Sequence, residues 1–400
     1  MIRHSILVLG LALATLATEW PQWRGPARDG ISTETGLLPS WPPGGPPLLW
    51  KISTLGEGYS AMAIAGGRLY TQGAKRGLEF VIALDAATGK LLWETPYAKA
   101  FKQGRGNGPR GTPTVDGNRM YALSGDGTLV CLDAESGKPL WTQNIMKQFG
   151  GDVIHWGISE SPLVDGDRVI VTPGGKGASL VALNKMTGAL IWKTQSGEAG
   201  YSSPLAIDFG GKRQIVAFNA KMAFGVLASN GELLWRYDKV ANGTANIATP
   251  IHRDGYLFLS SDYGTGCALL RIDPDTGKAS EVYFNRDMKN HYSTSVLVGN
   301  HLYGFSSAIL TAMEFETGKV AWRDRSTGKG SVTYADGRLY VLGENGTVAL
   351  VEASPAAYRE ISRFSIAKGE YPTWTPPVVA NKRLYLRDQD TLYCYDIAGK

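Results

Sequence analysis

A repeated unit constrains this chain more than any other feature. Residues 125–141 read GDGTLVCLDAESGKPLW: a short apolar run, an Asp-led turn with glycine, then a second run ending in tryptophan. The pattern recurs as FVIALDAATGKLLW (80–93), SLVALNKMTGALIW (179–192) and FGVLASNGELLW (224–235). Looser copies are LLRIDPDTGKASEVY (269–283) and TAMEFETGKVAW (311–322). A unit recurring every few tens of residues fixes the architecture before any single residue is weighed. Within each copy apolar and polar residues alternate, which is the period of a strand and not of a helix. Thr-Gly or Ser-Gly at 88–89, 136–137, 187–188, 276–277 and 317–318 supplies the tight turn. Glycine takes positive φ there without steric cost, and the preceding Asp or Asn bonds its own backbone. Upstream of each copy lies another hairpin, often with Asp-Gly, as in SPLVDGDRVIV (161–171) and TPTVDGNRMYAL (112–123). One unit is therefore four antiparallel strands, A to D, and such sheets repeated around an axis are propeller blades.

Units centre on residues 61–93, 112–141, 161–192, 203–235, 249–283, 295–322, 331–364 and 375–400. The seventh replaces its Thr-Gly turn with 353–359, and the eighth stops at YCYDIAGK, where strand D should begin. The missing strand stands near the other end, where PLLWKIS (47–53) matches PLWTQ (139–143) and LLWET (91–95). The expected fold is all-β: an eight-bladed β-propeller whose last blade is closed by an N-terminal strand, which removes the open edges. Tryptophans at 50, 93, 141, 192, 235 and 322 share one place in strand D and are expected to be core between blades.

One propeller domain is expected over 47–400, preceded by a Trp- and Pro-rich segment, 18–46. Proline at that density favours extended chain, expected to lie across the propeller surface with Trp20 and Trp23 pinning it. Residues 1–17 carry Arg3 and His4 and then SILVLGLALATLA, which reads as a signal peptide cleaved after Ala17. The run is too short to span a bilayer comfortably, and no later stretch could. A periplasmic or secreted protein follows, monomeric or weakly oligomeric. Lys and Arg total 41 against 36 Asp and Glu with no basic block, which argues against a nucleic-acid partner. The three cysteines, Cys131, Cys267 and Cys394, are odd in number and scattered; buried thiols are expected in place of a disulfide framework.

In a propeller the D–A connections and B–C loops share one face, and the A–B and C–D turns share the other. Here the latter are regular, and the irregular, charged and aromatic residues gather in the former, where function is expected. The binding candidates are Arg110, His155, Trp156, Glu160, Asn246, Lys289, His291 and Trp374. Arg110, His155, Trp156, Glu160, Lys289 and His291 are expected to line one mouth of the central channel. Glu160 opens an inner strand, and a charge near the axis needs a partner, for which Arg110 or Lys289 is expected. No catalytic residue is assigned; Glu160 and Asp262 are the nearest candidates. His155, Glu160 and His291 have no metal-site spacing, RGNGPRG (105–111) lacks the Gly-Lys-Ser/Thr of a phosphate loop, and no G-x-S-x-G elbow occurs.

The A-x-D-x-x-T-G-K-x-x-W repeat resembles the tryptophan-docking motif of the pyrroloquinoline-quinone (PQQ) propellers, over about residues 47–400. WPQWRGPARDG (20–30) is similar to the mature N-terminus of exported PQQ-binding-like β-propeller repeat proteins. The resemblance implies an eight-bladed ring but not one function. One branch, the quinoprotein alcohol dehydrogenases, holds PQQ and Ca²⁺ in the axial funnel with a Glu and an Asn as calcium ligands, an Asp base and a stacking Trp. By that resemblance Glu160 and Asn246 would be metal ligands, Asp262 the base and Trp374 the stacking ring. The adjacent-cysteine pair of that branch is missing here. A second branch is the non-catalytic lipoprotein scaffold of outer-membrane β-barrel assembly; no cysteine follows the leader to carry the lipid. The expectation is an exported binding or scaffold propeller that takes a protein, small molecule or glycan at the funnel face, without cofactor. The alternative is a PQQ- and Ca²⁺-dependent oxidoreductase.

Overall fold

A computed structural model describes residues 19–399, so the expected leader lies outside the described residues. Eight antiparallel sheets, each built from strands in the order A-B-C-D, follow one another along the chain. Blade 3 is typical, with Leu163–Asp165, Arg168–Val171, Leu180–Asn184 and Leu190–Thr194. Its A–B hairpin pairs Asp165 with Arg168, leaving Gly166 in the turn at φ 60°. In the C–D turn the Asn184 carboxamide accepts from the N–H groups of Met186 and Thr187, and Gly188 follows at φ 74°. The last blade is closed as expected: Leu48–Ser53 is its strand D, antiparallel to Thr391–Asp396, with Trp50 opposite Cys394.

The core is divided among the interfaces between blades. Each of eight apolar clusters draws its residues from two neighbouring blades, and the pair formed by blades 8 and 1 is among them. The strand-D tryptophans fasten these interfaces. Trp192 donates Nε1–H to the Ala228 carbonyl of the next blade at 3.0 Å, and a Cβ on Gly231 of that blade would lie 2.8 Å from its ring. Trp141 does the same with the Lys185 carbonyl at 3.1 Å, against Gly188. The repeat's turn glycine and its tryptophan are thus two halves of one contact, made between successive blades. Only Trp192 and Trp235 are fully buried; Trp50, Trp93, Trp141 and Trp322 are half-buried, because strand D is the outer strand.

The N-terminal segment departs from its expected course over the surface. It enters the axis. Trp20 bridges Ile64 of blade 1, and the Pro21 carbonyl accepts from Val115 of blade 2. Arg28 donates to the carbonyls of Ser161 (3.2 Å), Pro162 and Pro204 (2.9 Å), in blades 3 and 4. Trp23 bonds Thr249 of blade 5 at 2.9 Å, and Arg24 bonds the carbonyls of Thr294 (3.0 Å) and Ser295 (2.7 Å) of blade 6. Ile31–Ser32 then pairs parallel to the inner strand of blade 7. A segment that meets the innermost strands all round the ring can only occupy the channel. The physical reason is the row of buried carbonyls that those strands turn inward, which two guanidiniums satisfy together. The chain leaves past Ala398 and Trp41, which packs on Tyr340 and Phe364, to reach the closing strand.

Candidate functional site

Above this plug, on the face of the D–A connections, lies a cavity of about 570 Å³. Every D–A connection contributes to its wall: Tyr59, Arg105 with Arg110, Trp156, Tyr201, Thr244, His291 with Tyr292, Lys329, and Trp374. Trp23 of the plug, and Tyr263 and Glu344 from B–C loops, complete it. Seven aromatic rings therefore surround a space with three basic side chains, one imidazole and one carboxylate.

The wall is held by buried polar bonds behind it. Glu79, in strand C of blade 1 (Leu78–Asp85), accepts from the Phe101 N–H at 3.0 Å and the Gly125 N–H at 3.3 Å, fixing the loop that carries Arg105 and Arg110. Burial pushes its carboxyl up to about 7 despite those bonds and the nearby Arg110. Arg110 spends its donors on the carbonyls of Trp156 (2.7 Å), Gly106 (2.7 Å) and Gly108, with its guanidinium 4.7 Å from the Phe101 ring centre. Burial lowers its pKa to about 10. The Tyr59 hydroxyl donates to the Arg105 carbonyl and is pushed up to about 12 by burial. Tyr59, Trp374 and Tyr292 form one bank of rings with centroids 5.0 and 5.7 Å apart, and the Trp374 indole donates to Glu344 at 2.6 Å. Across the cavity Trp156 lies 5.7 Å from Tyr201, while the Tyr263 and His291 rings are tilted against each other at 5.1 Å. Burial and the Lys329 charge drop His291 to about 4, so its ring is neutral at pH 7, and its buried Nδ1 has no partner.

The structure brings Arg110, Trp156, His291 and Trp374 together and leaves the other candidates elsewhere. His155 is exposed in an adjoining groove, edge-on to Trp156 at 4.9 Å. Lys289 misses the cavity wall; its backbone braces Ser306 and Ser307. Glu160 does not line the channel mouth: it is 1 % exposed, with one oxygen accepting from the Thr172 N–H at 2.6 Å and the other unpartnered. Its attractive charge is Arg28 of the plug, neither Arg110 nor Lys289, and burial still raises its carboxyl to about 7. Asn246 is buried between the carbonyls of Asn219 and Ala220 and the N–H of Asn242, at 3.0 Å each. Asp262 is buried behind the wall, accepting from Ser307 at 3.0 Å.

These positions do not fit the calcium set that the resemblance implied. Glu160, Asn246 and Asp262 serve three separate local structures, and among the described residues no three His, Cys, Asp or Glu gather to hold a metal. Cys131, Cys267 and Cys394 are all buried and free. The tyrosines were missed by sequence reasoning although a signal was present. An aromatic residue immediately precedes the Ser or Thr that opens an inner strand in Tyr59-Ser60, Tyr201-Ser202, Tyr292-Ser293 and Trp374-Thr375. That repetition places a ring at the axis in blades 1, 4, 6 and 8.

Comparison with known proteins agrees with this architecture. The outer membrane protein assembly factor BamB of Shewanella oneidensis is 22 % identical over 290 residues, covering 68 % of this chain and 72 % of that protein. A quinohemoprotein alcohol dehydrogenase, ADH IIB of Pseudomonas putida, is 30 % identical over 222 residues, 51 % of this chain but 30 % of that enzyme. The crystal structure of BamB from Moraxella catarrhalis superposes with a TM-score of 0.64 at 16 % identity, covering 88 % of this chain and 99 % of that one, which shows a shared fold. The family model described as outer membrane protein assembly factor BamB matches residues 79–324, more than half of the chain, and the protein belongs to that family of PQQ-like propellers.

Proposed function

We propose that this protein is an exported binding or scaffold propeller that takes its ligand at the axial cavity without making or breaking bonds. The observation that carries this reading is the division of labour around the axis. Rings and cations face the cavity with one carboxylate, Glu344, which the Trp374 indole holds, while Glu79, Glu160 and Asp262 are turned into the fold and bonded there. A quinone oxidation needs a metal-polarised carbonyl and a positioned base, and the donors for neither converge. The relatives named as assembly factors support a scaffold role, and the leader-like residues 1–17 support export. Among the described residues no helix is long and apolar enough to cross a membrane.

The test is a titration of the protein, followed by tryptophan emission, with a panel of acidic oligosaccharides and acidic peptides. A saturable response that disappears in Trp374→Ala is the expected result. Turnover of short alcohols, polyvinyl alcohol or aldoses with PQQ, Ca²⁺ and an artificial electron acceptor would instead promote the dehydrogenase reading.

A further inference from the structure

The charges around the cavity are not equivalent. Arg110 donates from each of its three nitrogens to a backbone carbonyl, whereas among the described residues the Lys329 ammonium and the Arg105 guanidinium have no hydrogen-bond or ion-pair partner. Glu344 is the one carboxylate on the wall, and the Trp374 indole already holds it. The cavity is therefore net cationic and walled by tilted ring faces, which suit the apolar face of a saturated ring carrying an anionic group. Beside it runs a groove of about 310 Å³ that shares Tyr201 and Thr244 with the cavity. There the sign reverses: Asp152 and Glu198 line the groove. Carboxylates accept readily from hydroxyls, and they repel a second anion.

Resting on the binding role above, we propose that the cavity and groove take an oligosaccharide whose terminal unit is a carboxylated sugar. The uronate sits between Lys329, Arg105 and the Trp374 bank, and neutral sugar units leave along the groove past Asp152 and Glu198. The cavity's size falls within the roughly 300–1,000 Å³ of sites built for small organic ligands. The competing occupant is a peptide offering its C-terminal carboxylate; the ring faces and the hydroxyl acceptors of the groove favour the sugar.

The experiment uses calorimetry and tryptophan emission with a trisaccharide of two glucose units capped by glucuronic acid. Its carboxyl-reduced counterpart and an acidic peptide with a free C-terminus are measured in parallel. Saturable binding of the capped trisaccharide is expected, weakened about tenfold by reduction of its carboxyl and about tenfold by Lys329→Gln. Lys329→Gln should weaken the reduced sugar clearly less than the capped one, and Trp374→Ala should abolish binding of both. Equal affinity for the capped and reduced sugars overturns the proposal, as does absence of binding by either. If the peptide binds in a Trp374-dependent way while the sugars do not, the proposal falls and the binding role stands. If no probe binds, both fall.

Discussion

Glu160 shows how a single buried carboxyl sets a pH dependence. Its folded pKa of about 7 lies above the ordinary value of 4.5, because burial outweighs attraction by Arg28. Between those values the folded state holds a proton that the unfolded state has lost, so stability is full below about pH 4.5 and falls as pH rises through 7. Glu79, raised to about 7 in the same way, acts in the same direction. Glu160→Gln keeps an oxygen for the Thr172 N–H and removes the titration. The wild type should therefore lose up to about 3 kcal/mol more than this variant between pH 5 and pH 8. Chemical denaturation across that range checks it; parallel slopes would refute it. That Glu160 needed a cation was legible from its place at the start of an inner strand. Which cation was not, because Arg28 meets it only when the segment enters the axis.

At the scale of elements, the repeat made the blades legible and left the plug invisible. Strand alternation and the Asp-x-x-Thr-Gly turn recur, and recurrence is what allows a boundary to be placed. Residues 20–32 occur once, and their Gly and Pro content reads as irregular chain. Their determinants, Arg24 and Arg28 at φ 60° and 57°, become apparent only when the inner strands present their carbonyls. Arg28→Ala removes donors from three buried carbonyls and leaves Glu160 without its cation. A loss of at least roughly 3 kcal/mol is expected by chemical denaturation, since each buried carbonyl left without a donor costs about 1–3 kcal/mol. Arg28→Lys should recover only part, since one ammonium cannot span the same carbonyls as a planar fork. An Arg28→Ala variant as stable as wild type would mean that the plug is a passive filler.

For the whole molecule, eight cores at eight interfaces mean that no blade can be removed without opening two of them. The closing strand carries one of these interfaces: Trp50 lies against Gly89 of blade 1, where a Cβ would meet its ring at 2.8 Å. Deleting residues up to 53 should leave strand C of the last blade with an open edge, lower the melting temperature and cause association. Size-exclusion chromatography and thermal denaturation read both effects; a monomeric, equally stable truncation would contradict the closure. The number of blades and their closure were legible because each depends on counting a pattern. The cavity was only half legible, since its seven rings come from five separate connections, a B–C loop and the plug, and convergence on an axis is a property of the ring.

The closing strand also sets a timetable. Ser53 and Thr391, which meet side chain to side chain at 3.1 Å, are 338 residues apart in sequence. On a chain that leaves the ribosome or a translocation pore from its N-terminus, the early strand and the axial segment must wait, unpaired, for nearly all the rest to emerge. Contacts of such separation are slow to form and expose adhesive edges meanwhile. Folding of this protein in the cell should accordingly depend on holding factors that bind unfolded chain, far more than its folded stability would suggest.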